Sequence, residues 1–311
     1  MIPKLNLKRS FLFTVFLVFL TEGDLSSEES KSCFTIYPDV LVRDSPNISG
    51  KVVRQIKEPL PVDVQEYTST LDEIEIRNRK IQSSWAKLRD GWIFGGLIKC
   101  IPKVSFAQPT SYHGDELPFS PSLVQTDWIA IYSQKDGYLR KQIPISLKRE
   151  HDPVVDEDKK IKTGYRIYAT GDPQILIQGL TFKEGNFPAI SKKGMPLELN
   201  KSYQFTFGKN NYTIVSKGKR TAQSTPLYSE VKNYKLILYK NNEEMVINSL
   251  IIRHKIPLLV FAGDVDGDDE LDFIFDLGNH YNVSSQYLYI SSEKENDFFV
   301  VPVSVNSSSG C

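Results

Sequence analysis

The sequence predicts an all-β fold, a small barrel followed by a larger antiparallel β sandwich or barrel, and three observations carry that expectation. Apolar residues recur in short alternating runs rich in β-branched and aromatic types. Those runs are separated by turn signals such as Asp-Ser-Pro, Ser-Gly, Asp-Gly and Asn-Asn. No capped stretch with 3.6-residue apolar periodicity interrupts them, so no amphipathic helix is expected.

At the N-terminus, Lys4, Lys8 and Arg9 precede the apolar run Phe11 to Leu20, the layout of a secretory signal peptide over residues 1–23. The run is too short to span a bilayer as a mature helix, so no integral span is expected after cleavage. Residues 24–32 read as an acidic spacer, and the implied destination is periplasmic or secreted, with envelope attachment open. An exported chain meets an oxidising compartment, where disulfides persist. The three cysteines stand at 33, 100 and 311 with no C-x-x-C pair, which argues against a zinc ribbon or a dithiol redox motif. Cys33 and Cys100 bracket one compact segment and are the favoured pair. Cys100 with Cys311 stays open should Cys33 carry a lipid.

Residues 33–100 contain FTIYPDVLVRDSP, SGKVVRQI, PLPVDVQEY and SSWAKLRDGWIFGGLIKC, short strands between turns. This segment resembles the bacterial SH3-like domain. The resemblance rests on Leu41-Val42-Arg43-Asp44-Ser45-Pro46, on Gly50-Lys51-Val52-Val53, and on Trp85 with Lys87-Leu88 followed by Gly91-Trp92-Ile93 and Leu97. It implies a small barrel that binds a cell-wall or peptide ligand in a bacterial exported protein. Indole and phenol rings give wide contact with a polar tip, so Tyr37, Tyr67, Trp85 and Trp92 are the candidate ligand contacts. A barrel this small also needs aromatics inside, which assigns Trp85 to the core and leaves Trp92 half exposed. The charged insertion Thr68 to Gln82 departs from the family pattern and lengthens a hairpin.

Residues 101–125 carry prolines at 102, 109, 118 and 121 and read as an extended linker. His113 lies within it beside Asp115 and Glu116 and reads as a solvated loop residue. Residues 126–311 read as the larger β domain. WIAIYSQKDGYLRKQIPISL, SYQFTFGKNNYTIVS and YKLILYKNNEEMVINSLII are three hairpins, with GYRIYAT and QILIQGL as further strands.

The sharpest chemistry is GDVDGDDELDFIFD at 263–276, between two apolar strands. Asp264, Asp266 and Asp268 alternate, Gly267 lets the chain turn among them, and Asp272 closes the set. Carboxylates so close repel one another unless a hard cation neutralises them, and calcium takes six to eight oxygens in flexible geometry. An EF-hand would need a bidentate Glu where Phe275 stands. The loop resembles the D-x-D-G-D-x-x-x-D hairpin of FG-GAP and VCBS-type extracellular repeats. That resemblance implies calcium held by Asp264, Asp266, Asp268 and Asp272 with the backbone carbonyl of Glu270. Downstream, Asp276 and His280 have the residue types of an acid/base pair but read as a structural turn.

Thirty-eight basic residues balance 38 acidic ones, so no global positive field exists to hold a nucleic acid. No G-x-S-x-G, H-E-x-x-H, Walker loop or dinucleotide turn is present. The expected function is a non-catalytic exported envelope protein with an SH3-like binding module and a calcium-stabilised β domain. The alternative is a calcium-dependent cell-wall hydrolase targeted by that module.

Overall fold

The computed structural model describes residues 31–114, 116–188, 190, 194–221, 230–249, 255–295 and 298–309. The expected signal peptide, most of the acidic spacer and Cys311 lie outside the described residues. The chain is all-β: the described residues form seven sheets whose ladders are all antiparallel, with only two short 3-10 turns and no α-helix. No described helix is long and apolar enough to cross a membrane.

The N-terminal module begins at Lys31, two residues before the expected boundary. Lys31–Thr35 lies between Ile98–Pro102 and Pro61–Val62 in a three-stranded sheet. Cys33 faces Cys100 directly in this ladder, and the two form a disulfide with Cα atoms 4.0 Å apart. The favoured pairing is therefore the one present. A second sheet runs Val52–Ile56, Val40–Arg43, Gly91–Phe94, Trp85–Leu88, Glu66–Tyr67. The two sheets stay open where a small closed barrel was expected. The charged insertion folds as the hairpin Asp72–Ile76 with Arg79–Ser83. Its period-2 pattern sends Asp72, Ile74 and Ile76 to one face and Glu73 and Glu75 to the other.

The stretch read as a linker contributes two strands. Ser105–Ala107 pairs with Ile175–Gln178, and Ser111–Tyr112 pairs with Gly164–Ala169. Proline was expected to block ladders here, yet each proline falls where no donor is missed. Pro102 ends a strand, Pro109 and Pro118 lie in bends and Pro121 opens a 3-10 turn. Phe106, Ala107, Tyr112 and Phe119 are consequently buried.

Ser105–Ala107 is the edge of a five-stranded sheet that continues through Ile175–Gln178, Trp128–Gln134, Gly137–Ile143 and Gly185–Phe187. Further along, Ser202–Phe207, Asn210–Arg220, Val231–Lys240 and Glu243–Asn248 form a four-stranded meander. Asn241 and Asn242, at φ 48° and 75°, make its last two-residue turn, the backbone that Asn tolerates and a hairpin needs. The final sheet runs Met195–Pro196, Leu258–Gly263, Asp272–Asp276, Val283–Ile290, Val301–Ser309. One apolar core runs from Ile36 and Val42 of the module through Phe106 and Ile177 to Phe273 and Val303, so the segments share an interior. A smaller cluster gathers around Trp128.

Candidate metal centre and aromatic cavity

The acidic loop links Leu258–Gly263 to Asp272–Asp276, neighbouring strands whose pairing brings Gly263 opposite Asp272. Gly267, at φ +90°, makes the sharp turn, and its backbone N–H donates to Asp264 Oδ1 at 2.5 Å. Asp264, Asp266 and Asp268 each offer a carboxylate oxygen within 4.8 Å of the others. Asp264 and Asp266 are buried and Asp268 is exposed. Burial pushes the Asp264 and Asp266 carboxyls up from the ordinary range, and neighbouring aspartates push them further. N–H and O–H donors from Gly267 and Ser292, and the Arg140 charge on Asp264, oppose that rise.

Asp272 is fully buried. Its Oδ2 accepts the Val265 N–H at 2.6 Å, and its Oδ1 accepts the N–H and hydroxyl of Ser291, each at 2.8 Å. Burial, then the Asp266 charge, drives its pKa well upward. The carboxyl therefore ties the loop to the end of Val283–Ile290. Glu270 turns its side chain to Lys240 Nζ at 2.5 Å, which leaves only its backbone carbonyl for a ligand role.

Three participants were not legible in the sequence. Arg140, buried on Gly137–Ile143, donates through Nη1 to the Asp264 carbonyl and through Nε to the Lys183 carbonyl. Its Nη1 also lies 3.5 Å from Asp264 Oδ1. Ser291 places its hydroxyl 3.1 Å from both oxygens of Asp268, and the Ser292 hydroxyl donates to Asp266. These residues sit 19 or more positions from the loop, and no local spacing announces them. Three aspartate carboxylates thus stand together, with Arg140 beside Asp264. The donor set is all oxygen, which suits calcium or magnesium over softer metals, and the residues fit a hard cation.

The aromatic candidates separate. Tyr37 and Trp85 line one cavity of about 390 Å³. Both are buried; Trp85 donates its indole N–H to Asp72 Oδ2 at 2.6 Å and packs edge-on to Phe94. Trp92 is half-buried beneath Lys87, whose Nζ lies 4.8 Å from the ring centre. Tyr67 is 50% exposed, with its hydroxyl 3.3 Å from Cys100 Sγ. Neither Trp92 nor Tyr67 lines the cavity.

Comparison with protein-family models, with curated proteins and with solved structures finds no match to this chain.

The histidines take other roles. His113 Nδ1 lies 2.8 Å from Asp152 Oδ1, a contact 39 residues away in sequence. Asp276 is held by Lys255 Nζ at 2.6 Å and by N–H donors of Gly278 and Ser285, while His280 contacts Asn282.

Proposed function

We propose that this is an exported, non-catalytic envelope protein whose SH3-like N-terminal module binds a cell-wall or peptide ligand and whose C-terminal β sheet is locked by one calcium ion. The observation that carries the proposal is the clustering of the Asp264, Asp266 and Asp268 carboxylates within 4.8 Å, two of them buried, against a single arginine. Buried carboxylates that are not neutralised oppose folding. A divalent cation removes that penalty and joins Leu258–Gly263 to Asp272–Asp276 at their shared end. The Cys33–Cys100 disulfide and the basic-then-apolar N-terminus support an oxidising, extracytoplasmic location. The cavity walled by Tyr37 and Trp85 supports the binding role of the module.

Thermal melts of the purified protein with calcium, with magnesium and with chelator test the reading. Calcium at a hundred times its Kd adds about 2.7 kcal/mol by mass action. A rise specific to calcium and lost in Asp266→Asn/Asp268→Asn is expected. Identical melts in all three conditions would reduce the loop to an acidic turn.

A further inference from the structure

The cavity of the N-terminal module has an electrostatic character that its aromatic lining does not explain. Its floor is apolar: Tyr37, Val40, Trp85 and Phe94 are buried beneath it, and Leu41 and Leu97 are half-buried. One wall is the inserted hairpin, which contributes Ile74 and Ile76 from its inward face. Ile48, 58% exposed, carries the apolar surface outward to the mouth.

Charged groups at the cavity are Arg43, Arg77 and Asp39. Arg43 donates one N–H to the Gly50 carbonyl at 2.7 Å, and Asp39 Oδ1 accepts from Gln55 Nε2 at 3.1 Å. Arg77 lies over the rings of Tyr37 and Phe298, 5.4 and 5.5 Å from their centres. Among the described residues, no carboxylate pairs with Arg43 or Arg77, so two guanidinium groups and one carboxylate, that of Asp39, line an apolar cavity. Arg77 also occupies a costly backbone position. It and Asn78 form the two-residue turn of the hairpin at φ 50° and 64°, a conformation that suits Asn or Gly and costs an arginine roughly 1–2 kcal/mol. Strain kept at a cavity mouth points from structure to function.

We propose that this cavity is the ligand site of the module and that it takes an extended peptide segment carrying an aliphatic or aromatic side chain beside an acidic residue. This rests on the reading of the module as a binding unit and adds the ligand's chemistry. The apolar side chain enters between Trp85 and the Ile74–Ile76 wall, and the neighbouring carboxylate meets the Arg77 and Arg43 forks, whose planar geometry suits bidentate carboxylate pairing. A cavity near the lower end of the range for small-ligand sites accommodates one or two side chains and excludes a large cofactor.

The test uses the full chain with isoleucine methyl and tryptophan indole labels. Three peptides are titrated: acetyl-Glu-Leu-Glu-Leu-amide and its Gln and Lys counterparts. The acidic peptide should shift the Ile74, Ile76 and Trp85 signals and bind at least tenfold more tightly than the Gln peptide. Arg77→Asn keeps a residue that accepts the turn and should bring the acidic peptide down to the Gln level, whereas Arg77→Lys should keep a preference for acid. Equal binding of all three peptides at these signals would overturn the acidic specificity and leave the module a peptide binder. Shifts confined to Trp92 or Tyr67 would overturn this cavity as the site and keep the module reading. No shift anywhere in the module would overturn both.

Discussion

Replacing Arg140 with Met should cost the metal-free protein about 3–5 kcal/mol, the range for breaking a buried charge pair by removing one partner. The structure provides the components. Arg140 Nη1 stands 3.5 Å from Asp264 Oδ1, where unit charges in an effective dielectric of about 20 attract by roughly 5 kcal/mol before desolvation is subtracted. The buried Asp264 carbonyl loses its donor, at about 1–3 kcal/mol for an acceptor left unmet, while the Lys183 carbonyl, on an exposed residue, exchanges its donor for water. Methionine keeps the aliphatic stem against Phe187, over which the guanidinium sits at 5.0 Å, so lost packing contributes little. Urea denaturation at neutral pH in chelator measures the loss. Saturating calcium takes over the neutralisation of Asp264 and should shrink the cost to about 1–3 kcal/mol, the part belonging to the buried Asp264 carbonyl. An Asp264→Asn background should do the same, with a coupling energy of about 0.5–3 kcal/mol between the two sites. A cost below about 1 kcal/mol in chelator, against the range for a broken buried pair, would refute the account, as would an equal cost with and without Asp264.

Cys33→Ser/Cys100→Ser should lose about 4 kcal/mol on the chain-entropy argument for a crosslink spanning 67 residues, and an unchanged denaturation midpoint in oxidised and reduced protein would contradict it. Gly267→Ala places a side chain on a residue at φ +90°, with its Cβ 3.0 Å from Arg140 Nη2, and should cost roughly 1–2 kcal/mol or more while weakening the calcium response in a melt. In chelator, the raised pKa values of Asp264, Asp266 and Asp272 fix the sign of one pH dependence. Folded-state values above the unfolded one, about 3.9, mean that ionising these groups opposes folding; the penalty is absent below that pH and complete once pH has passed the folded values. Their contribution should therefore fall as pH rises through that window, and the wild-type minus Asp264→Asn/Asp266→Asn difference in urea midpoint isolates the share of Asp264 and Asp266; a difference independent of pH would contradict the assignment.

Local pattern made much of the fold legible. The hairpin turn at Asn241-Asn242, the alternation in SYQFTF and the bracketing of one segment by Cys33 and Cys100 are short-range signals, and each reads the same in three dimensions. Proline density misled at 101–125, because composition counts prolines without showing that each occupies a strand end, a bend or the start of a turn. The acidic loop was visible through its spacing, but its anchors were not. Arg140, Ser291 and Ser292 reach it only through the order of strands, and the bond from Ser291 to Asp272 is equally non-local. The need of a small module for aromatics in its own core separated Trp85 from Trp92 already in the sequence, and the structure buries Trp85 against the cavity and leaves Trp92 half-buried beneath Lys87.

The strand Ser105–Ala107 imposes an order on events when the chain emerges N-terminus first. The disulfide-bonded ladder of Lys31–Thr35 and Ile98–Pro102 can close as soon as residue 102 is available. The next strand then waits for Ile175–Gln178, and Trp128–Gln134 awaits the same partner along its other side. For that interval Phe106 and Ile129 belong to unpaired edges, the kind of surface that other chains add to. A nascent chain stalled between residues 107 and 175 should therefore be the aggregation-prone species and the one a holding chaperone recognises, while in the finished protein Trp128–Gln134 is paired on both sides and Ser105–Ala107 on one.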